Sequence, residues 1–235
     1  MYIIAEAGIN HNGDLDTAFK LCDAAKEAGA DCIKFQMYDM DNLFIPDILT
    51  TKYAELQVVL GKCMLDAEDF IKISDHCKTI GIDFAATPED ILDAKLLIEL
   101  GVPYIKVGSR QALNFNYLHR LNELKHKVLM STGLSCPSEE RAAESLLIDT
   151  DYKKLFCVSK YPAPAEEYFE RDDLRGWDGV SDHTVGIAVP IRLAGWIDYY
   201  ERHLTLDCTQ QGPDHHMSTE PETFELIVNA VREIE

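Results

Sequence analysis

The sequence predicts an α/β fold: a closed (β/α)8 (TIM) barrel, formed as a single domain by residues 1–235. Short runs rich in β-branched and aromatic residues alternate with amphipathic stretches along the whole chain, which is typical of a parallel sheet. About eight such units follow one another without a Gly/Ser linker or a change in composition, and a length near 235 residues suits one barrel domain. A closed barrel is therefore favoured over an open, doubly wound sheet.

The strands are predicted from short apolar runs bounded by turn residues. In chain order they are Tyr2–Gly8, Cys32–Tyr38, Asp83–Pro88, Tyr104–Ser109, Val128–Gly133, Lys154–Tyr161, Gly179–His183 and Tyr199–Thr205. A long loop with a short helix of its own is predicted at Asp39–Lys62, after the second strand.

The helices are predicted from apolar residues at helical spacing and from their end signals. Three of them stop at a glycine that can take the left-handed conformation: Leu15–Ala28 before Gly29, Asp66–Ile80 before Gly81, and Glu89–Leu100 before Gly101. Ser138 is predicted to cap Ser138–Leu147, which carries two glutamates in its first turn. Further helices are predicted at Asn116–Leu124, Ile187–Gly195 and Pro221–Ile234, and the unit Pro162–Trp177 has the least helical periodicity.

The composition excludes several classes of function. The chain has 22 Lys+Arg against 41 Asp+Glu, a net charge of −19, and no Lys/Arg-rich stretch, so it lacks the basic patch that nucleic-acid binding requires. Its seven cysteines are odd in number and never spaced C-x-x-C, which argues against a disulfide framework or a zinc cluster. The first residues show neither a secretory signal nor a long apolar span. We predict a cytoplasmic protein that binds no membrane.

Polar residues occupy inward-facing positions where a structural core would carry Val, Ile or Leu. Alternate residues of a barrel strand face inward, and function collects at the C-terminal strand ends. Some of these polar residues share one parity at a strand end, and others lie within the apolar strands. Together they are Glu6, Lys34, Gln36, Thr87, Lys106, Ser131, Ser159, Tyr161, Ser181, His183, Glu201 and His203. Because a buried charge costs several kcal/mol unless it is paired, this set favours a ligand site over a polar plug whose members satisfy one another.

The residue types indicate which ligands such a site would hold. Lys34 and Lys106, together with the hydroxyl groups, suit a small molecule that carries phosphate and carboxylate groups, although lysines near a strand end can also reach solvent. His183 and His203 end adjacent strands and can converge on one divalent ion, leaving positions open for substrate and water; histidines that only hydrogen-bond in the core are the alternative. His11 and His215 are predicted accessory groups, and His216 is predicted to be solvated.

Several motifs in this order resemble the sialic acid synthase family. They are residues 4–13 (IAEAGINHNG), 33–36 (IKFQ), 105–109 (IKVGS), 131–133 (STG), 181–184 (SDHT), 201–205 (ERHLT) and 212–214 (GPD), and they cover nearly the whole chain. The resemblance implies a barrel that condenses phosphoenolpyruvate with an N-acetylated hexose, such as N-acetylmannosamine, to give a nonulosonic acid. It also implies a divalent metal cofactor, Mn²⁺ first, with Mg²⁺ and Co²⁺ as alternatives.

The resemblance also implies a role for each matching residue. Those implied to surround phosphoenolpyruvate are Lys34, Thr87, Lys106, Ser109, Ser131, Ser159 (often Asn in the family) and Ser181. His183 and His203 match the metal ligands. Those implied to hold or act on the sugar are Glu6, Gln36, Tyr161 and Asp214.

Two features depart from the family pattern. Ser109-Arg110-Gln111 places an amide where family members usually carry glutamate, so Gln111 is a candidate catalytic position at which proton handling is slowed or moved to Glu6. The chain ends at Glu235, whereas many members continue into an antifreeze-like domain that reaches across a dimer. We expect either a separate polypeptide with that domain or a more open sugar pocket, and a homodimer only by resemblance.

Two other functions stay open at this stage. The departure at Gln111 and the missing domain are also compatible with a weakened barrel that binds phosphoenolpyruvate or a sugar acid as a regulatory subunit. Another phosphoenolpyruvate-condensing barrel that uses a phosphorylated sugar would need more basic residues than this acidic chain offers.

Overall fold

The eight strands form one parallel sheet that curves into a barrel. The computed structural model describes residues 1–40, 51–170, 174 and 176–235, with backbone alone at 51–54. The strands are β1 (Tyr2–Gly8), β2 (Cys32–Met37), β3 (Asp83–Pro88), β4 (Ile105–Val107), β5 (Val128–Ser131), β6 (Tyr152–Cys157), β7 (Gly179–Asp182) and β8 (Tyr199–His203). Their order is β3-β2-β1-β8-β7-β6-β5-β4. β3 lies beside β4 and brings the two ends of the sheet together, so the predicted (β/α)8 barrel is confirmed.

The helices surround the sheet. They are α1 (Leu15–Glu27), α2 (Thr51–Lys62), α3 (Ala67–Ile80), α4 (Ile91–Leu100), α5 (Phe115–Leu124), α6 (Pro137–Leu146), α7 (Glu166–Phe169), α8 (Ala188–Leu193) and α9 (Pro221–Ile234). Gly81 and Gly101 end α3 and α4 in the left-handed conformation, as predicted. Among the described residues, no helix is long and apolar enough to cross a bilayer.

The predicted cap of α6 is wrong by two residues. Cys136 is the N-cap, because Pro137 takes the first helical position, where its missing N–H costs no hydrogen bond. The Glu139 carboxylate accepts a hydrogen bond from the Cys136 N–H at 2.8 Å. Within the described residues of the predicted unit Pro162–Trp177, the α-helix is the single turn α7. Residues 171–173 and 175 of that unit, and residues 41–50 of the predicted loop Asp39–Lys62, lie outside the described residues.

Several strands end earlier than predicted. β4 stops at Val107 rather than Ser109, and β6 stops at Cys157 rather than Tyr161. The polar residues that follow leave the ladder and enter loops at the C-terminal end of the barrel. These loops are where parallel-strand barrels place their sites.

The barrel interior has an apolar layer below a polar one. The apolar layer comprises Ile4, Cys32, Ala85, Tyr104, Leu129 and Leu155. Two residues further along the same strands come Glu6, Lys34, Thr87, Lys106, Ser131 and Cys157. In the apolar layer β7 carries Gly179, where a Cβ would lie 2.3 Å from the Tyr199 carbonyl oxygen. The apolar layer therefore closes the N-terminal end of the barrel, and the polar layer forms the floor of a site.

Candidate active site

A cavity of about 590 Å³ opens above the polar layer, at the C-terminal ends of the strands. The predicted site residues that line it are Glu6, Lys34, Gln36, Thr87, Lys106, Ser109, Ser131, Tyr161, Ser181, His183 and His203. The structure thus brings together side chains from seven strands and from the loops that follow them. This volume suits small-molecule ligands.

Two lysines and two carboxylates form an ionic cluster in the cavity floor. Lys34 Nζ lies 2.5 Å from Glu6 Oε2 and 3.6 Å from Glu201 Oε2, and Lys106 Nζ lies 3.1 Å from Glu201 Oε1. Each of these side chains is at most 5% exposed, so neither lysine reaches out to solvent. The charges satisfy one another as the polar-plug alternative requires, yet a cavity lies directly over them.

Hydroxyl groups extend this cluster. Lys34 Nζ donates to Thr87 Oγ1 at 2.9 Å, and Ser181 Oγ donates to Glu201 Oε1 at 2.7 Å. Ser131 Oγ is buried and has no hydrogen-bond partner among the described residues. Because an unpaired buried hydroxyl is costly, Ser131 is a group that a ligand could satisfy.

The pKa values of the two carboxyl groups, Glu6 and Glu201, are shifted in opposite directions. Burial raises the pKa of Glu6 to about 7, with Glu201 adding to the shift and Lys34 opposing it. Burial also works against the charged form of Glu201, but Lys106 and Lys34 outweigh it and hold the pKa of this carboxyl below its ordinary value. Glu201 is thus a fixed negative charge, and Glu6 is a carboxyl that can gain or lose a proton near neutral pH.

Unfolding measurements across pH will report the raised pKa of Glu6. The native state holds this proton more tightly than the unfolded chain, so Glu6 stabilises the fold less as pH rises from 4.5 to about 7. We expect the unfolding free energy of the parent, relative to Glu6→Gln, to fall by on the order of 2–3 kcal/mol between about pH 5 and pH 8. Urea unfolding in EDTA measures this difference, with the exposed Glu99→Gln as control. Parallel pH curves for the parent and Glu6→Gln would contradict it.

His183 and His203 stand side by side in the cavity wall. Their ring centroids are 5.8 Å apart, and the Tyr161 ring lies 4.2 Å from that of His183. His183 Nδ1 is 2.7 Å from the Val158 carbonyl oxygen, which only accepts, so Nδ1 carries the proton and Nε2 keeps its lone pair. Burial lowers the pKa of both imidazoles, and His183 and Lys34 lower that of His203 further.

This pair fits a divalent cation. Both rings are held neutral, the form that binds metals, and the buried Nδ1 of His203 has no hydrogen-bond partner among the described residues. Those residues add no third histidine, cysteine or carboxylate near enough to complete a set of three ligand atoms with the pair. A metal here would leave coordination positions open, as catalytic ions require.

His183→Ala will weaken metal binding with a small effect on the metal-free fold. Removing one of the two histidines of this proposed metal site should lower Mn²⁺ affinity by about 100-fold or more. The metal-free protein loses one hydrogen bond to the Val158 carbonyl and the ring contacts with Tyr161 and His203, so its unfolding free energy should fall by no more than about 2 kcal/mol. Calorimetric Mn²⁺ titration and urea unfolding in EDTA measure the two effects, and His119→Ala, on the exposed face of α5, is the control. Unchanged Mn²⁺ affinity in His183→Ala would contradict the assignment.

Three predicted site residues lie outside the cavity lining. Gln111 points to the neighbouring loop, where its amide donates to Glu89 Oε2 at 2.7 Å. Asp214 sits at the cavity edge, with Oδ2 4.0 Å from His203 Nδ1, and burial raises its pKa to about 6. Ser159 lines a neighbouring cavity of about 740 Å³.

The parity argument fails at Ser159 because β6 has already ended. Cys157, the last strand residue, faces the active-site cavity, and the alternation of side chains does not continue into the loop. The loop brings Tyr161 back to the cavity. Ser159 Oγ instead lies against Gly133: a Cβ added to Gly133 would be 2.6 Å from this oxygen.

The other predicted histidines are not among the cavity-lining residues. His11 is buried against Phe35, and its Nδ1 accepts a hydrogen bond from the Gly13 N–H at 3.0 Å. His215 is buried with Thr205 Oγ1 at 2.7 Å from its Nδ1. His216 is exposed, as predicted.

Sequence reasoning left several cavity residues out of the candidate site. They are Tyr38, Leu56, Leu60, Glu89, Gly108, Arg110 and Cys157. Glu201 also lines the cavity; the sequence placed it in the inward-facing polar set, with the parity of His203 on β8, but assigned it no role. Leu56 and Leu60 lie on α2, and an apolar helix face carries no sign that it borders a cavity rather than a core.

The fold and the cavity define a (β/α)8 barrel with an ionic cluster in a cavity at the C-terminal ends of its strands. Residues 21–235 match the NeuB family, and the chain belongs to that family. The resemblance found in the motifs is thereby confirmed.

Named relatives match along the whole chain. The N,N'-diacetyllegionaminic acid synthase of Campylobacter jejuni is 34% identical over 99% of this chain and 76% of its own length. The N-acetylneuraminate-9-phosphate synthase of Homo sapiens is 31% identical over 100% of this chain and 70% of its own length. Among solved structures, the N-acetylneuraminic acid (sialic acid) synthetase of Leptospira borgpetersenii, in complex with citrate, has a TM-score of 0.90 and 30% identity, covering 99% of this chain and 83% of that one.

Proposed function

We propose that this protein condenses phosphoenolpyruvate with an N-acetylated hexose to give a nonulosonic acid and phosphate. The observation that carries the proposal is the convergence of Lys34, Lys106, His183 and His203 on one cavity, in a chain of the NeuB family. The synthases among its relatives support the class of product.

The lysines and hydroxyls hold the anionic donor. Phosphoenolpyruvate carries a phosphate and a carboxylate, and the two ammonium groups of the floor cluster can each meet one of them. Thr87 and Ser131 add hydroxyl donors at the same level, and Ser181, whose proton goes to Glu201, fixes that carboxylate beside them. Fixing the donor here presents its C3 carbon toward the open side of the cavity, so that the bimolecular reaction starts from a bound, oriented pair.

The reaction forms a C–C bond and a bond from C2 to the oxygen of water, and it breaks the bond from C2 to the bridging oxygen of the phosphate. C3 of phosphoenolpyruvate attacks the aldehyde carbon of the open-chain sugar, the resulting oxyanion takes a proton, water adds to C2, and phosphate leaves with its bridging oxygen. A divalent ion at the histidine pair would supply Lewis-acid polarisation of the aldehyde oxygen.

Glu6 is the carboxyl suited to the proton transfers. A pKa of about 7 allows it to donate and accept near neutral pH. Glu201, held ionised, keeps both lysines in place and charged. The buried floor keeps bulk water from the donor.

Phosphate release tests the proposal directly. The protein is incubated with Mn²⁺, phosphoenolpyruvate and a panel of N-acetylated hexoses, and phosphate is measured together with the mass of the product. We expect release that depends on the sugar, the metal and Lys106, and a product whose mass equals donor plus sugar plus water minus phosphoric acid. Binding of phosphoenolpyruvate without release, with any sugar, would favour the regulatory alternative.

A further inference from the structure

Glu89 lies in the cavity wall directly after β3, away from the ionic floor cluster. Its Oε2 accepts hydrogen bonds from Arg110 Nη2 at 2.5 Å and from Gln111 Nε2 at 2.7 Å. The same amide nitrogen of Gln111 also donates to the Glu89 backbone carbonyl at 2.9 Å. Two donors from the loop after β4 therefore fix the orientation of a carboxylate from the loop after β3.

Hydrogen bonds to Oε2 hold this carboxylate in place, and its other oxygen can still accept a hydrogen bond from a ligand. The Glu89 side chain is 16% exposed, whereas that of Arg110 is 54% exposed. Within the described part of the chain, both side-chain donors reach Oε2, and no hydrogen bond to Oε1 is found. A carboxylate oxygen in a cavity wall is an acceptor for hydroxyl groups.

The charge around Glu89 is unfavourable to a second anion. Among the described residues that line the cavity, the cations are Lys34, Lys106 and Arg110. The lysines are paired in the floor, and the guanidinium of Arg110 is paired with Glu89.

Further acidic groups lie near Glu89, although they do not line the cavity. Burial raises the pKa of the nearby Asp93 carboxyl to about 6, and Asp90, Asp39 and Glu89 add to the shift. A phosphate bound here would meet the Glu89 carboxylate, with the negative charge of the nearby aspartates behind it, and no unpaired cation among the described lining residues. A neutral, hydroxylated molecule would meet hydrogen-bond acceptors.

We propose that Glu89, held by Arg110 and Gln111, binds hydroxyl groups of the acceptor sugar and selects a neutral acceptor over one that carries a phosphate. The inference rests on the proposed function and names the acceptor class for the same site. Arg110 and Gln111 act as positioning residues, since both contact Glu89.

Glu89→Gln tests the proposal with a side chain of nearly the same shape. The variant weakens the acceptor for hydroxyls and releases Arg110 from its pair. We expect KM for the neutral N-acetylated hexose to rise about tenfold, and the kcat/KM ratio of its 6-phosphate to the neutral sugar to rise about 30-fold or more. KM for phosphoenolpyruvate should stay within about twofold of the parent.

A double variant tests whether a carboxylate in this hydrogen bond, rather than the local structure around it, sets the preference for the neutral sugar. Glu89→Gln with Gln111→Glu returns a carboxylate to the other side of the same hydrogen bond, and we expect it to recover part of the preference for the neutral sugar. Glu99→Gln, on the exposed face of α4, is the matched carboxylate control and should leave every constant unchanged.

Three other outcomes would overturn the inference, and they differ in what they mean for the proposed function. An unchanged ratio of phosphorylated to neutral acceptor in Glu89→Gln overturns the inference while the proposed function stands. An equal loss with both acceptors, with a raised KM for phosphoenolpyruvate, shows a structural role and also overturns it. If the parent protein releases no phosphate with either sugar, the proposed function fails, and the inference fails with it.

Discussion

Glu201→Gln should destabilise the protein by about 3–5 kcal/mol, because it removes one partner of a buried ionic cluster. Glu201 accepts from Ser181 and lies within 3.6 Å of both lysine ammonium groups. In the variant, Lys34 and Lys106 would share Glu6, a single carboxyl whose pKa burial already raises to about 7. Urea unfolding at pH 7 measures the loss.

A small anion should restore part of this stability. The variant floor carries excess positive charge, so phosphoenolpyruvate or inorganic phosphate should raise its melting temperature more than that of the parent. The pKa of Glu6 should also fall, because Glu201 is one of the groups that raise it. Glu99→Gln again serves as the control. A loss below about 1 kcal/mol, with no extra response to phosphate, would mean that Glu201 does not hold the cluster together.

The sequence predicted the barrel because its signals are local. β1 and β3 have the predicted bounds, and Gly81 and Gly101 end their helices in the left-handed conformation that was the reason for predicting them. The cap of α6 failed where two local signals compete. Pro137 and Ser138 both mark a helix start, and proline at the first helical position moves the cap to Cys136.

Parity predicted which side chains face the cavity as far as the strands extend. Lys34, Lys106 and Ser181 lie on strands, so parity alone placed them in the cavity. Ser159 and Gln111 lie beyond their strands, where the loop path decides direction. The hydrogen bond from Gln111 to Glu89 joins two different loops. The residue spacing within either loop does not predict it. The opposite pKa shifts of Glu6 and Glu201 likewise depend on burial and on partners from other strands.

Lys106→Met should weaken phosphoenolpyruvate binding by about 10²–10³-fold, because it removes a buried positive charge and leaves Glu201 facing the donor anion. Calorimetry, and the rise in melting temperature with phosphoenolpyruvate, measure the loss. Affinity for Mn²⁺ should change far less, since the proposed metal site is the histidine pair. Lys95→Met, on the exposed face of α4, is the control for removal of a lysine charge.

Lys106→Met combined with Glu201→Leu separates stability from ligand binding. A buried ion pair replaced on both sides by apolar groups can be nearly neutral for the fold, whereas loss of one partner leaves the other charge uncompensated. Since Lys34 keeps Glu6 as its partner at 2.5 Å, we expect the double variant to recover most of the stability that Lys106→Met loses. Phosphoenolpyruvate binding should not return, because half of the positive charge of the floor is gone. Recovery of binding together with stability would show that Lys106 only balances Glu201, and that the donor anion is held elsewhere.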